Sequence, residues 1–586
     1  MIFIPISNGN VCFISGIMTL LIQMFHATME SLLVDQTYTT YTTIQVILMI
    51  RLMPCKIINT QPYQWLILIF KQKRIPFMNE TTLKIFNRTL HIKKQWKITF
   101  LATWIGGMLA HAYRFFNFLP SWDSMYNFAG TGATYSSGRC FLEFFSKISS
   151  KYDMPWVNGA LSLLYISLAS ILLVELFELQ ECASCVLLAL LIVSFPTVTA
   201  SFAFMFTADG YMMAFLMAVL GIYLTWRYRY GIFPGIICIG LSIGTYQAYI
   251  SVMLCILLIM FARDLLIKQK DFKSFFRNNW KYIPLLLGGF IFYKIASTLI
   301  NAYYHITLTE YQGIGQIHLL SLWEYRQAFT KVYNELSHLF SFNEALNVYW
   351  YGYANRIVFA LLLLCTVYLI LKNKLYRQPL ACLTGILCII CLPLTVCFLF
   401  FVSSDVWYHT LMEMGACFIY LLLLCYLEHG CVKTRFEKII KSIGIVVLCY
   451  LSFYNIRNAN ICYNEMNLSY EKSYSIASNV LDRIEDLDEF PEISKVAIIG
   501  TYHTYSSNIG GTVPYIIGVD QDNFLNLDFH YFAMWNYCFG IQLDQASSEE
   551  IAAIKQTEEY QKLDSYPSKN CIAVIHDIIV IKLPEE

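Results

Sequence analysis

Charge is what this sequence has least of. Only 14% of its 586 residues are Asp, Glu, Lys or Arg, and the two signs nearly cancel to a net +1. So few charges cannot wet the surface of a soluble chain of this length. The near balance gives no overall charge for recruiting nucleic acid, and the basic clusters it does contain fall at the ends of apolar runs. No nucleotide-phosphate loop, zinc spacing, haem motif or nucleophile elbow is present. An internal repeat of the transporter type is also missing.

Apolar residues make up 57% of the chain and aromatics 16%. They are gathered into runs of roughly 20 residues, the length a helix needs to cross a hydrocarbon core of ~30 Å. The fold class is therefore mainly α, a polytopic helical membrane bundle. Most of the 19 cysteines lie inside these runs, for example Cys238, Cys255, Cys365, Cys397 and Cys417, where they serve as small packing residues. Two CxxC spacings, Cys182/Cys185 and Cys388/Cys391, have no second pair nearby and read the same way. Cys462, Cys538 and Cys571 fall in a more polar C-terminal stretch and could pair only if that stretch is extracytoplasmic.

Residues 1–77 read as a poorly defined N-terminal extension. From Met78 the chain resembles a cytoplasmic lead-in, with Lys84, Arg88, Lys93, Lys94 and Lys97 before the first apolar run. With that segment inside, the spans fall at Ile98–Leu119, Trp156–Leu179, Ala183–Phe206, Tyr211–Trp226, Ile232–Thr245, Ala248–Phe261, Tyr282–Tyr303, Asn355–Leu371, Pro379–Phe401, Thr410–Leu427 and Ile439–Tyr454, about eleven in all. Connections assigned inside carry nearly all the Lys and Arg, such as the run from Arg263 to Lys281. Those around Asp209, Tyr246 and Asp405, assigned outside, carry none. The transmembrane part is expected over 78–457. A small extracytoplasmic α/β domain follows over 458–586, with a charged helix at Tyr470–Leu487 and buried strands within Lys495–Gly500 and Cys571–Leu583.

Several polar residues sit at predicted outer helix ends. The stretch Pro120–Arg139 is a membrane-face loop carrying Asp123 between Trp122 and Tyr126. A carboxylate among aromatics loses water, which raises its basicity toward that of a general base; the alternative is a solvated acid beside an interfacial aromatic belt. Asp209 falls in a tight Asp-Gly connection, read either as a turn or as a carboxylate kept between two spans at a desolvation cost. Tyr246-Gln247 occupies an outer hairpin, as a sugar-binding pair or as helix–helix glue. Arg139 suits a lipid phosphate in forked geometry, or snorkels to the headgroups. Lys294 is an intramembrane cation, functional or snorkelling. His111, Arg114, His409 and Glu413 also fall near outer ends. The segment Leu319–Phe340 has the spacing of an interfacial helix.

The Trp122-Asp123 loop, Gly138-Arg139, Pro155-Trp156, the Asp209 connection and the run Gly244–Ala248 (Gly-Thr-Tyr-Gln-Ala) together resemble bacterial glucosyltransferases of the Gtr type II kind. These enzymes modify O-antigen or related surface glycans and have the membrane-embedded GT-C architecture. The resemblance covers roughly Lys97–Gly500. It implies transfer of a hexosyl group, glucose in the family, from a polyprenyl-phosphate donor to a lipid-linked or surface glycan outside the bacterial cytoplasmic membrane. It places the catalytic base at Asp123 and implies a donor synthase and a donor flippase as partners. Arg139, with Lys294, would hold the departing phosphate, and Tyr246 and Gln247 the sugar hydroxyls. Asp209 would orient the acceptor or help hold a divalent cation; no other cofactor is implied. A transporter or flippase for a lipid-linked glycan would use the same outer acids and aromatics, and a polymerase or ligase of surface polysaccharide would share the substrates but not this loop order.

Overall fold

The structure, a computed structural model, describes residues 81–85, 88–128, 130, 132, 134–150, 152–309, 321–341, 349–403, 406–430, 434–502, 516–519, 525 and 527–584. The extension over 1–77 and Asp405 lie outside that set. The chain divides into two units, Met1–Ile98 and Thr99–Glu586. In the first, β1 (Thr81–Ile85) and β2 (Arg88–Ile92) form an antiparallel hairpin.

Among the described residues, nine helices are long and apolar enough to cross a membrane, and Ile232–Thr245 is a shorter apolar one. With Lys94–Phe116 they form the bundle α1 (Lys94–Phe116), α2 (Pro155–Phe177), α3 (Cys182–Val193, continued by Pro196–Ala203), α4 (Met205–Arg227), α5 (Ile232–Thr245), α6 (Ile250–Ala262), α7 (Tyr282–Tyr304), α8 (Tyr349–Lys372), α9 (Pro379–Val396), α10 (Cys417–Cys425) and α11 (Arg435–Glu485). Proline at the start of α2 and α9 sets a helical φ where no N–H partner is needed. A capping box at Thr434 and Glu437 starts α11. Helix α4 packs against α2 and α5, α5 against α7, and α6 against α9.

Two elements depart from the sequence pattern. The expected last span and the separate helix of the tail are one 51-residue helix, α11, because no proline or glycine interrupts the stretch between them. The third span is broken at Phe195-Pro196, and α4 begins at Met205. The turn Glu178–Glu181 has no basic residue of its own, yet it lies among positive charges. Lys268 pairs with Glu178 at 2.6 Å and Lys441 with Glu181 at 2.6 Å, while Arg263 donates to the Leu176 carbonyl. These ties knit one end of the bundle.

The C-terminal residues form a four-stranded sheet in the order β4 (Asp544–Gln545), β3 (Lys495–Ile499), β6 (Ile578–Lys582), β5 (Ile572–Ile575). β3 is parallel to β4 and β6, and β5–β6 is a hairpin turning at His576 and Asp577, both at positive φ. Alternation along β3 and β6 supplies both faces of the sheet. Val496, Ile498, Ile579 and Ile581 pack with Ile476, Val480 and Ile484 of α11, and with Met125. Ala497, Ile499, Ile578 and Val580 pack with Ile554, Tyr560 and Leu563. No disulfide joins any of the described cysteines, Cys462, Cys538 and Cys571 included.

Candidate active site

The chain between α1 and α2 is pinned before it carries any chemistry. Arg114, fully buried in the last turn of α1, donates from Nε to the Phe202 carbonyl at 2.9 Å and from an Nη to the Asn117 carbonyl at 3.2 Å. Its other Nη lies 3.5 Å from Asp153, whose carboxyl burial pushes up and Arg114 pulls back down. The segment 117–153 is thus fastened at both ends.

Within it, Trp122–Tyr126 forms a short helix with Asp123 in its first turn. Met125 is fully buried in the core shared by α11 and the C-terminal sheet, so that core seats the helix. Asn127 Nδ2 donates to Asp123 Oδ1 at 2.8 Å and to the Asp123 carbonyl at 2.9 Å, holding the carboxylate in one orientation. Burial raises the Asp123 carboxyl above its ordinary range; Arg139 and Asn127 partly oppose this.

Gly138, at φ 69°, turns the chain into Arg139. The Arg139 guanidinium donates to the Tyr211 hydroxyl at 3.1 Å and lies 5.9 Å from the Tyr246 ring centre. Tyr211 and Tyr246 stack at 4.4 Å. The run Gly244–Ala248 docks directly on this loop. Phe141 N donates to the Gly244 carbonyl at 2.9 Å, and Gln247 Nε2 to the Ser137 carbonyl at 3.2 Å. A Cβ on Gly244 would lie 2.6 Å from the Phe141 ring and 3.0 Å from Cys140 Sγ. Gly244→Ala is therefore expected to lower stability by about 1–3 kcal/mol, as overpacking does elsewhere, and to weaken transfer. Thermal unfolding of the purified variant checks the first effect.

Trp122, Asp123, Arg139, Tyr246 and Gln247 line one cavity of about 850 Å³. Tyr211, Trp407, His409 and Ile517 line it too. Its remaining wall is apolar: Met253 and Leu254 of α6, Leu286, Leu287 and Phe290 of α7, and Phe398. Leu287 is 59% exposed and Phe290 37%, so the cavity reaches the apolar outer surface of α7. Burial and the Arg139 charge lower His409 to about 4, which leaves its imidazole neutral at pH 7. The cavity combines a carboxylate, an arginine held by Tyr211, and an apolar wall that reaches the outer surface of α7.

The family-model comparison matches residues 112–424 to the glucosyl transferase GtrII family. The chain belongs to the GtrII glucosyltransferases. Neither a curated protein nor a solved structure matches it. In this GtrII chain the matched region takes in the loop from Trp122 to Arg139, Asp209, the Gly244–Ala248 run and Lys294.

Asp209 needs correction. The Asp-Gly pair reads as a turn, but the chain turns earlier, at Phe204, and Asp209 stands inside α4, 1% exposed and not lining the cavity. Gly210 is there for close approach: a Cβ on it would lie 2.8 Å from Leu142 and 2.9 Å from Ser146 Oγ. Neither Asp209 carboxylate oxygen has a well-formed hydrogen bond, and Ser149 and Tyr165 are the polar side chains around it. Lys294, half-buried on α7, is also outside the lining; its Nζ lies 6.0 Å from the ring centre of Tyr293, which does line the cavity. Tyr126 lies in the Asp123 helix. No group of three or more His, Cys, Asp or Glu side chains among the described residues is placed to hold a metal ion.

Three contributors to the site escape sequence reasoning. Asn127 follows Asp123 by one helical turn, a spacing that would have flagged it. Tyr211 is masked by the apolar pattern of α4. Ile517 arrives from the C-terminal region, its N–H donating to Thr410 Oγ1 at 3.2 Å. Nothing local marks that contact.

Proposed function

We propose that this glucosyltransferase moves a hexosyl group, glucose by family, from a polyprenyl-phosphate donor onto O-antigen or another cell-surface glycan, at the extracytoplasmic face of the bacterial inner membrane. One observation carries the reading: Asp123 and Arg139 share a cavity whose apolar wall opens on the exposed, apolar outer surface of α7. A polyprenyl chain suits that wall, its phosphate suits Arg139, and the sugar then lies beside Asp123. The acceptor hydroxyl gives its proton to the Asp123 carboxylate and its oxygen attacks the anomeric carbon. The bond from that carbon to the phosphate oxygen breaks, polyprenyl phosphate leaves with the electron pair, and Arg139 offsets its charge. A single displacement inverts the anomeric centre. Tyr246 and Gln247 bind sugar hydroxyls, and Lys294, beside Tyr293 of the cavity wall, is given the role of a second cation for the phosphate. Asp209, behind the cavity wall, is given the role of supporting α4 under Tyr211. The outward assignment rests on the lysine and arginine content of the opposite connections. It requires a synthase to make the donor and a flippase to present it.

The test uses the full chain in lipid nanodiscs with polyprenyl-phosphate-glucose and a lipid-linked glycan. Hexosyl transfer with inversion is expected, and Arg139→Met should raise the donor KM by about 10–100-fold, the loss of a charge-assisted pair. Donor that equilibrates across vesicle leaflets without any transfer would point instead to a flippase.

A further inference from the structure

Beside the main cavity lies a second one of about 200 Å³, and its character is opposite. Its polar side chains come from four elements distant in sequence: Glu335 and His338 on the helix Leu322–Leu339, Tyr351 on α8, the segment Trp407–Glu413, and Asn455 and Asn458 on α11. Almost every lining side chain can donate or accept a hydrogen bond. Several are buried without using that capacity. Asn455, 2% exposed, has neither Nδ2 nor Oδ1 bonded, and His409, 8% exposed, has Nδ1 unbonded. Buried polar atoms cost stability unless something satisfies them, so a cluster facing one space points to a polar occupant.

The space would hold roughly seven waters at ~30 Å³ each, about the room one pyranose ring takes. Charge argues against an anionic occupant. Glu413 is 3% exposed and shares this small space with Glu335, an acidic pair that repels an anion. Amide, carboxyl and imidazole groups around a small space, with the Trp407 indole at its edge, suit a ring of hydroxyls, each both donor and acceptor. Trp407 and His409 line both cavities, and His409 senses the Arg139 charge. A ring bound here would therefore adjoin the proposed phosphate position.

We infer that this second cavity is a hexopyranose-binding subsite, in which Asn455, His409 and the Glu335–Glu413 pair read the sugar's hydroxyls. The inference rests on the sugar-transfer reading and adds a further place, beside the Tyr246 and Gln247 contacts, where a sugar ring is recognised. The hexose could be the donor's or the acceptor's terminal unit; the chemistry is the same.

The experiment titrates methyl glucoside, methyl galactoside and methyl mannoside against the full chain in nanodiscs, read by saturation-transfer NMR. Wild type and Asp123→Asn are expected to bind one epimer at least fivefold more tightly than the others, and Asn455→Leu to weaken that binding at least tenfold. If Asn455→Leu unfolds, Glu413→Gln, nearly isosteric, carries the same expectation. In transfer assays, a KM rise confined to the lipid donor assigns the subsite to the donor sugar, and one confined to the glycan assigns it to the acceptor. Binding that ignores epimer identity, or survives both substitutions, overturns the subsite. So does a cavity that responds to calcium or methylammonium chloride but to no sugar. Transfer that persists in Asp123→Asn would instead overturn the base assignment and leave sugar binding untouched.

Discussion

Asp123→Asn is expected to lower kcat/KM for hexosyl transfer by about 10²–10⁴-fold, the range over which a positioned general base acts. The substitution keeps the shape of the side chain and an oxygen for Asn127 Nδ2 to reach, so the helix Trp122–Tyr126 should stay seated on Met125. Donor KM should change little, because Arg139 and the apolar wall are untouched. A fall in kcat/KM matched by an equal fall in kcat, with unchanged thermal unfolding, is the signature of an interaction made only in the transition state. Transfer at the wild-type rate would remove Asp123 from the mechanism.

The same residue is expected to set the pH profile. A base works only when deprotonated, so activity is lost as pH falls through its pKa. Burial raises that pKa above the ordinary aspartate value, and the acid limb of kcat/KM should lie higher than a solvated aspartate would place it. The Asn127 hydrogen bond favours the charged form, so Asn127→Ala should move the limb to still higher pH. His409, already neutral above about 4, adds no limb near neutrality.

The second large effect is on stability. Arg114→Met should cost about 3–5 kcal/mol, because it leaves the Asp153 carboxylate buried without its cation and frees the carbonyls of Phe202 and Asn117. Both side chains of the pair are fully buried, so solvent does not screen the loss. Arg114→Met combined with Asp153→Leu should recover most of that loss, since replacing both partners of a buried ion pair with apolar groups is often close to neutral. Thermal unfolding of the two variants in one detergent decides the matter; a single variant as stable as wild type would show the pair to be idle.

What was legible beforehand followed from local chemistry. Apolar runs locate the bundle because length and composition alone decide whether a helix can span. The loop from Trp122 to Arg139 and the pair Tyr246-Gln247 stand out because polar groups between spans are few, and Trp122, Asp123, Arg139, Tyr246 and Gln247 do meet in one cavity. Asp209 misleads for a physical reason. Glycine after aspartate serves a turn and a close helix crossing equally well, and only the neighbouring Leu142 and Ser146 tell the two apart. The second cavity was invisible from sequence because Glu335, Glu413 and Asn455 belong to three separate elements, each ordinary where it stands. Ile517 was hidden likewise, being one aliphatic residue among many.

The unbroken helix α11 has a mechanical consequence. At 1.5 Å per residue its 51 residues reach about 75 Å, more than twice the thickness of the oily layer. Its foot is tied by Lys441 to Glu181, and its head is buried in the sheet that cradles Met125. The mast thereby sets how far the aspartate is carried from the Lys441–Glu181 tie, and a single inserted residue midway would turn its head by about 100° and unseat it.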